Sequence, residues 1–141
     1  MSGTDKPRRV TVSLAGFLLI CFFLPWVEVS CAEVKRDMVS GYTLARAGDT
    51  LLWLIPCFMI IIVLLGLRRA FCDRLPAVFA LTGMVGGGIS AYLMLRERSL
   101  TNSAPRIIGT SWTPLFWLDV AASISLAITA LVFYARRSKS P

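Results

Sequence analysis

The chain has 141 residues, of which 56% are hydrophobic and only 16% charged, and a formal net charge of +7. A soluble domain usually holds about 45–50% apolar and about 25% charged residues, so this balance belongs to a chain whose solvent is largely lipid. Histidine is absent, which removes the commonest general base and metal ligand, and no phosphate-cradling glycine loop, metal box or nucleophile elbow occurs, so neither enzymatic activity nor a cofactor is expected.

Lys6, Arg8 and Arg9 precede the first apolar block, residues 10–27. A basic start and an apolar run also describe a secretory signal peptide. This run exceeds the usual 7–15 apolar residues, however, and Val29-Ser30-Cys31-Ala32 is a poor cleavage site, so the block is read as a first membrane span. Pro25 and Trp26 end it at the interface. The next residues, Val27-Glu28-Val29-Ser30-Cys31, alternate as a strand does, and Ser40-Gly41-Tyr42 reads as a turn into the second helix. The outer loop 28–49 is therefore compatible with a short β-hairpin.

Asp49 or Thr50 is the expected N-cap of the second span, residues 50–67. Within it, Leu51–Leu67 reads LLWLIPCFMIIIVLLGL and lacks the polar stripe that a helix facing water carries. Pro56 is expected to bend this helix by removing one backbone bond. An inner loop, 68–74, carries Arg68, Arg69 and Arg74.

The third span, 75–95, starts with Pro76 in its first turn. Gly83, Gly87 and Ala91 recur every fourth residue and leave one stripe nearly bare of side chain, which lets another helix approach closely. After the outer loop 96–113, Thr113 caps and Pro114 opens the fourth span, 114–134. Ala121, Ser125 and Thr129 make a similar small-residue stripe, so the third and fourth helices are expected to pack against each other. Residues 135–141 form the tail. Each block is about 27–31 Å long as a helix, the thickness of a hydrocarbon core, and without the alternation of barrel strands helices are the only option in lipid. The expected fold is an all-α, four-transmembrane-helix bundle in a single domain.

Nine basic residues lie in the 23 residues of the two ends and the inner loop, against six in the 40 residues of the outer loops. The positive-inside rule puts both termini in the cytoplasm. Trp26, Trp53, Trp112 and Trp117 all fall at outward ends of spans, where an indole sits well among headgroups. Because the positive residues flank apolar spans in threes, they are read as orienting the chain in the bilayer and not as binding nucleic acid.

Three features outside this pattern are candidates for function. Cys31 is the only cysteine of four in an outer loop and could join a second copy or a partner, whereas Cys21 and Cys57 could touch within the bundle or pack as small apolar groups. Asp119 is the sole acid within a span. Such a residue is a proton or cation site, or it reaches water or pairs with Arg96, Arg98 or Arg106; the second reading is preferred. The outer loop, with Trp26 and Tyr42, is the third.

The run Leu24-Pro25-Trp26-Val27-Glu28-Val29-Ser30-Cys31, followed by Ser40-Gly41-Tyr42-Thr43-Leu44-Ala45, resembles a pattern of small bacterial four-pass inner-membrane proteins. The resemblance implies a bacterial inner membrane and an outward loop that matters, and carries no activity with it. Two function classes stand: a structural or accessory subunit that docks to another membrane protein or to itself, and a small transporter or channel for protons, cations or small solutes.

Overall fold

Among the described residues three stretches of helix are long and apolar enough to cross a membrane, Thr50–Leu67, Pro76–Asn102 and Pro114–Arg136, the first with a mean hydropathy of 2.7. The computed structural model describes residues 5–30, 36–68, 72, 74–103 and 109–138. In chain order its elements are α1 (Asp5–Cys21), β1 (Pro25–Ser30), β2 (Arg36–Ser40), α2 (Gly41–Ala47), a 3₁₀ turn (Thr50–Trp53), α3 (Leu54–Leu67), α4 (Pro76–Ser103), β3 (Gly109–Trp112) and α5 (Pro114–Ser138). The chain is mostly helical, with one small sheet.

The first apolar block divides. Its helix has 17 residues and stops at Cys21, and what was expected to be its outer end is the start of a strand. Pro25 has no N–H to extend a helix and pushes Leu24 toward extended backbone. The last turn tightens accordingly, with Phe23 N–H donating to Ile20 O at 3.1 Å and Leu24 N–H to Cys21 O at 3.0 Å.

The sheet is antiparallel, in the order β2-β1-β3. Val27, Val39 and Trp112 form one cross-strand row, and Glu28, Met38 and Ser111 the next. Successive rows face opposite sides, so the first lies on the bundle and the second points away; Met38 is 64% exposed. The hairpin was legible in the alternation of residues 27–31, but its third strand was not. It comes from the second outer loop and ties the two loops together.

Ser40-Gly41-Tyr42 is more than a turn. Ser40 caps a separate short helix, α2, through a reciprocal pair of bonds with Thr43. Gly48, with φ at 150°, then ends it, and Asp49 caps the 3₁₀ turn by accepting from Leu51 N–H at 3.1 Å. Because that turn precedes α3, Pro56 is the third residue of its helix and not a mid-helix residue.

The four long helices pack in a ring, α1 against α3 and α5, and α4 against α3 and α5. The closest seam joins α4 to α5. A Cβ added at Gly83 would lie 2.7 Å from Ala130 Cβ, and one at Gly87 would lie 2.6 Å from the Ser123 carbonyl oxygen. Ala91 is also buried. The face of α5 that meets these glycines is Ser123, Ala127 and Ala130, not the expected Ala121 and Ser125, which are exposed. Two positions along a helix amount to about 200° of rotation, so those residues look outward, and Ser125 satisfies its hydroxyl on Ala121 O at 2.8 Å. The outside of the bundle is studded with large apolar side chains such as Leu64, Leu67, Leu81 and Ile128, each more than half exposed, a surface that water would not tolerate over this extent.

Candidate functional site

Trp26 organises the end of the bundle that holds the sheet. Its side chain is 0% exposed, so the expected place at the headgroup level does not hold for this indole. The ring lies edge-on to Phe22 and Phe116, with centroids 5.9 and 6.1 Å away, and Nε1–H donates to Cys21 O at 3.0 Å. Gly41 stands against the indole, where a Cβ would be 2.7 Å from Cη2. The Trp26 carbonyl accepts from Thr113 N–H at 2.9 Å, and the Thr113 hydroxyl donates to Pro25 O at 2.9 Å. One side chain thus fastens the end of α1, the start of α2 and the start of α5. Leu24-Pro25-Trp26 and Ser40-Gly41-Tyr42 are two halves of one joint.

Tyr42 belongs to its outer layer. Its N–H donates to Phe22 O at 3.2 Å, its ring sits 5.7 Å from Phe23 and 5.9 Å from Trp53, and Arg46 donates to its Oη at 3.5 Å. Trp53 and Trp117 are exposed at 38% and 44%, as residues at a headgroup level would be. Trp112 is half-buried.

Below this joint lies Asp119. Its side chain is 0% exposed, and among the described residues neither carboxyl oxygen has a hydrogen-bond partner. Ser123, four residues on and thus on the same face, is equally buried, and its Oγ is also unpartnered. Cys21, from α1, is within electrostatic reach of Asp119. Among the described residues no arginine pairs with Asp119. Arg96 donates to Asp49 at 3.0 Å, and Arg98 lies over the Trp117 ring at 4.5 Å; Arg106 lies outside the described residues. The geometric cause is rotation, since Asp119 belongs to the inward stripe Phe116, Ser123, Leu126, Ala130 and Phe133, all buried. That 3–4 spacing was present in the sequence, but the small-residue stripe on the opposite face drew the reading away from it.

The rim of the outer end holds a second charged group. Asp49 Oδ2 takes the Arg96 guanidinium at 3.0 Å, and Glu97, 8% exposed, lies alongside. A hydrogen bond with the Glu97 carboxyl, then the Leu51 N–H and Arg96, hold Asp49 below the usual carboxylate range. This contact joins residues 47 apart, and no local signal announces it.

Cys21 is turned into the bundle and Cys57 out of it, so the two do not meet. Cys72 is buried with Sγ 3.3 Å from Leu65 O. Cys31 lies outside the described residues. Among the described residues no three His, Cys, Asp or Glu side chains are grouped to hold a metal ion.

No protein-family model matches the chain, and no curated protein or solved structure is significantly similar to it. Function is therefore read from the residues themselves.

Proposed function

We propose that the chain is a four-pass inner-membrane protein with both termini in the cytoplasm, and that it serves as a structural or accessory subunit presenting its three-stranded sheet to a partner protein. The fourth crossing is α1. The sheet holds both outer loops at one end of the ring, and at the other Arg8 and Arg9 border the same cavity as Gly66 and Leu67, an arrangement that supports α1 running antiparallel to α3. The observation that carries the docking reading is the strand order: β1 is paired on both sides, while β2 and β3 each have an outer edge without a partner strand among the described residues. Such edges are templates for strand addition, and Met38 gives the outer face an exposed apolar anchor. Purification in mild detergent should bring a partner along with the wild-type chain, and Met38→Lys should lose it at unchanged yield. A wild-type chain that always emerges alone would overturn the reading.

A second reading, a small transporter for protons or cations, is favoured by one observation, the unpartnered carboxyl of Asp119 inside the bundle. Ionisable groups in such positions mark ion or proton pathways by default. Flux into liposomes that vanishes in Asp119→Asn supports transport; absence of flux from both proteins supports the accessory role.

A further inference from the structure

At the basic end of the bundle a cavity of about 310 Å³ opens between α1 and the end of α3, lined by Arg8, Arg9, Val12, Ser13, Gly66 and Leu67. Its construction is layered. Arg9 and Ser13 are four residues apart on α1, as are Arg8 and Val12, so on each face a cation stands one turn above a smaller group. Gly66 makes the notch: a Cβ there would lie 2.1 Å from Val12 Cγ2, so only a glycine lets α3 come this near α1. Leu67, at the level of the notch, and Leu64, about one turn nearer the middle of α3, face outward, 69% and 58% exposed. The cavity thus has two cations at its rim, a hydroxyl and the apolar Val12 one turn deeper, and an apolar exit along the outside of α3.

We infer that this cavity is a binding site for an anionic phospholipid, its phosphodiester held by Arg8, Arg9 and Ser13 and its acyl chains lying over Val12, Leu67 and Leu64. Arginine suits the role because its planar fork meets phosphate oxygens in pairs, and basic pockets between membrane helices on the cytoplasmic side bind acidic headgroups. The apolar exit is what selects a lipid over free phosphate. Depth agrees as well, for α3 ends at Leu67 with Arg68 as its C-cap, and a helix end is where the headgroup layer meets the bundle.

This inference rests on the membrane reading above, and its failure is separable from that reading. The test is native mass spectrometry of the full chain in mild detergent with dioleoyl phosphatidylglycerol or dioleoyl phosphatidylcholine. The wild type should retain phosphatidylglycerol in preference. Arg8→Gln with Arg9→Gln should weaken that retention about thirtyfold, the effect of two basic residues at a membrane surface. Ser13→Trp, a change at an exposed position, should fill the notch and weaken retention comparably with both arginines in place. Arg136→Gln, at the same end on α5, should leave it unchanged. Equal retention of the two lipids, no effect of Ser13→Trp, or an equal loss in Arg136→Gln would overturn the site. Displacement of the lipid by millimolar inorganic phosphate would overturn its assignment to a lipid. A chain that shows no preference yet still requires detergent for extraction would refute the site and leave the membrane reading standing.

Discussion

Trp26 and Asp119 are both 0% exposed, sit within one bundle, and are treated by their surroundings in opposite ways. Around Trp26 the polar groups are matched: the indole N–H, the Pro25 and Trp26 carbonyls and the Thr113 hydroxyl all have partners. Around Asp119 three oxygens have none. Buried polar groups in folded proteins are nearly always paired, so a joint with its bonds made is a stability element, whereas a buried acid with its bonds unmade is carried at a cost. In this protein the Trp26 joint holds the fold together, and the acid below it adds no bond to it.

The sharpest way to break that contrast is to truncate the joint. Trp26→Ala should cost about 3–5 kcal/mol, as removal of a fully buried aromatic does, and thermal unfolding in detergent would register it as a large loss of folded protein. A small decrease would mean that the indole is peripheral to stability. Next in size is Gly87→Leu, expected to cost about 3 kcal/mol because the new side chain meets α5 backbone, which cannot move aside as a flexible side chain can. Ser125→Leu is its control, on the outward face of α5, and should leave melting and yield unchanged. Equal effects of the two would sink the assignment of the α4–α5 seam.

Asp119→Leu should move stability the other way. Replacing a buried group that lacks its bonds by an apolar one of similar size is neutral or stabilising, here by about 1–3 kcal/mol. A raised melting temperature checks it, and a strong destabilisation would show that Asp119 has a structural partner after all. The smallest effect belongs to the rim. Asp49→Asn should cost less than about 1 kcal/mol near neutral pH, since a partly exposed ion pair contributes little. Asp49 has its folded value depressed, so its contribution is present above the ordinary carboxylate value of about 3.9 and is lost as pH falls through the lower folded one. Wild type should therefore lose its advantage over Asp49→Asn in acid, and melting curves at falling pH measure that difference.

Much of the framework was legible without coordinates. Long apolar blocks, caps at Asp49 and Thr113, the proline at 114 and the alternation of residues 27–31 are local signals, and each depends only on neighbours within a few residues. The glycine spacing in α4 was equally readable, because a bare stripe is a property of one helix. What was misread shares a different character. The outer end of the first block became a strand, Pro56 fell into a first turn, and α5 met its neighbour through Ser123 and Ala127.

The sequence by itself determined which segments are apolar, where helices begin, and which residues share a face. The tertiary structure alone decided where those faces look: that Trp26 is buried against Phe22, Phe116 and Gly41, that Asp119 turns inward, and that Asp49 finds Arg96. In water a helix shows its core side by being apolar there and polar elsewhere. In lipid both sides are apolar, so hydropathy carries almost no information about rotation, and only packing against the other helices can supply it.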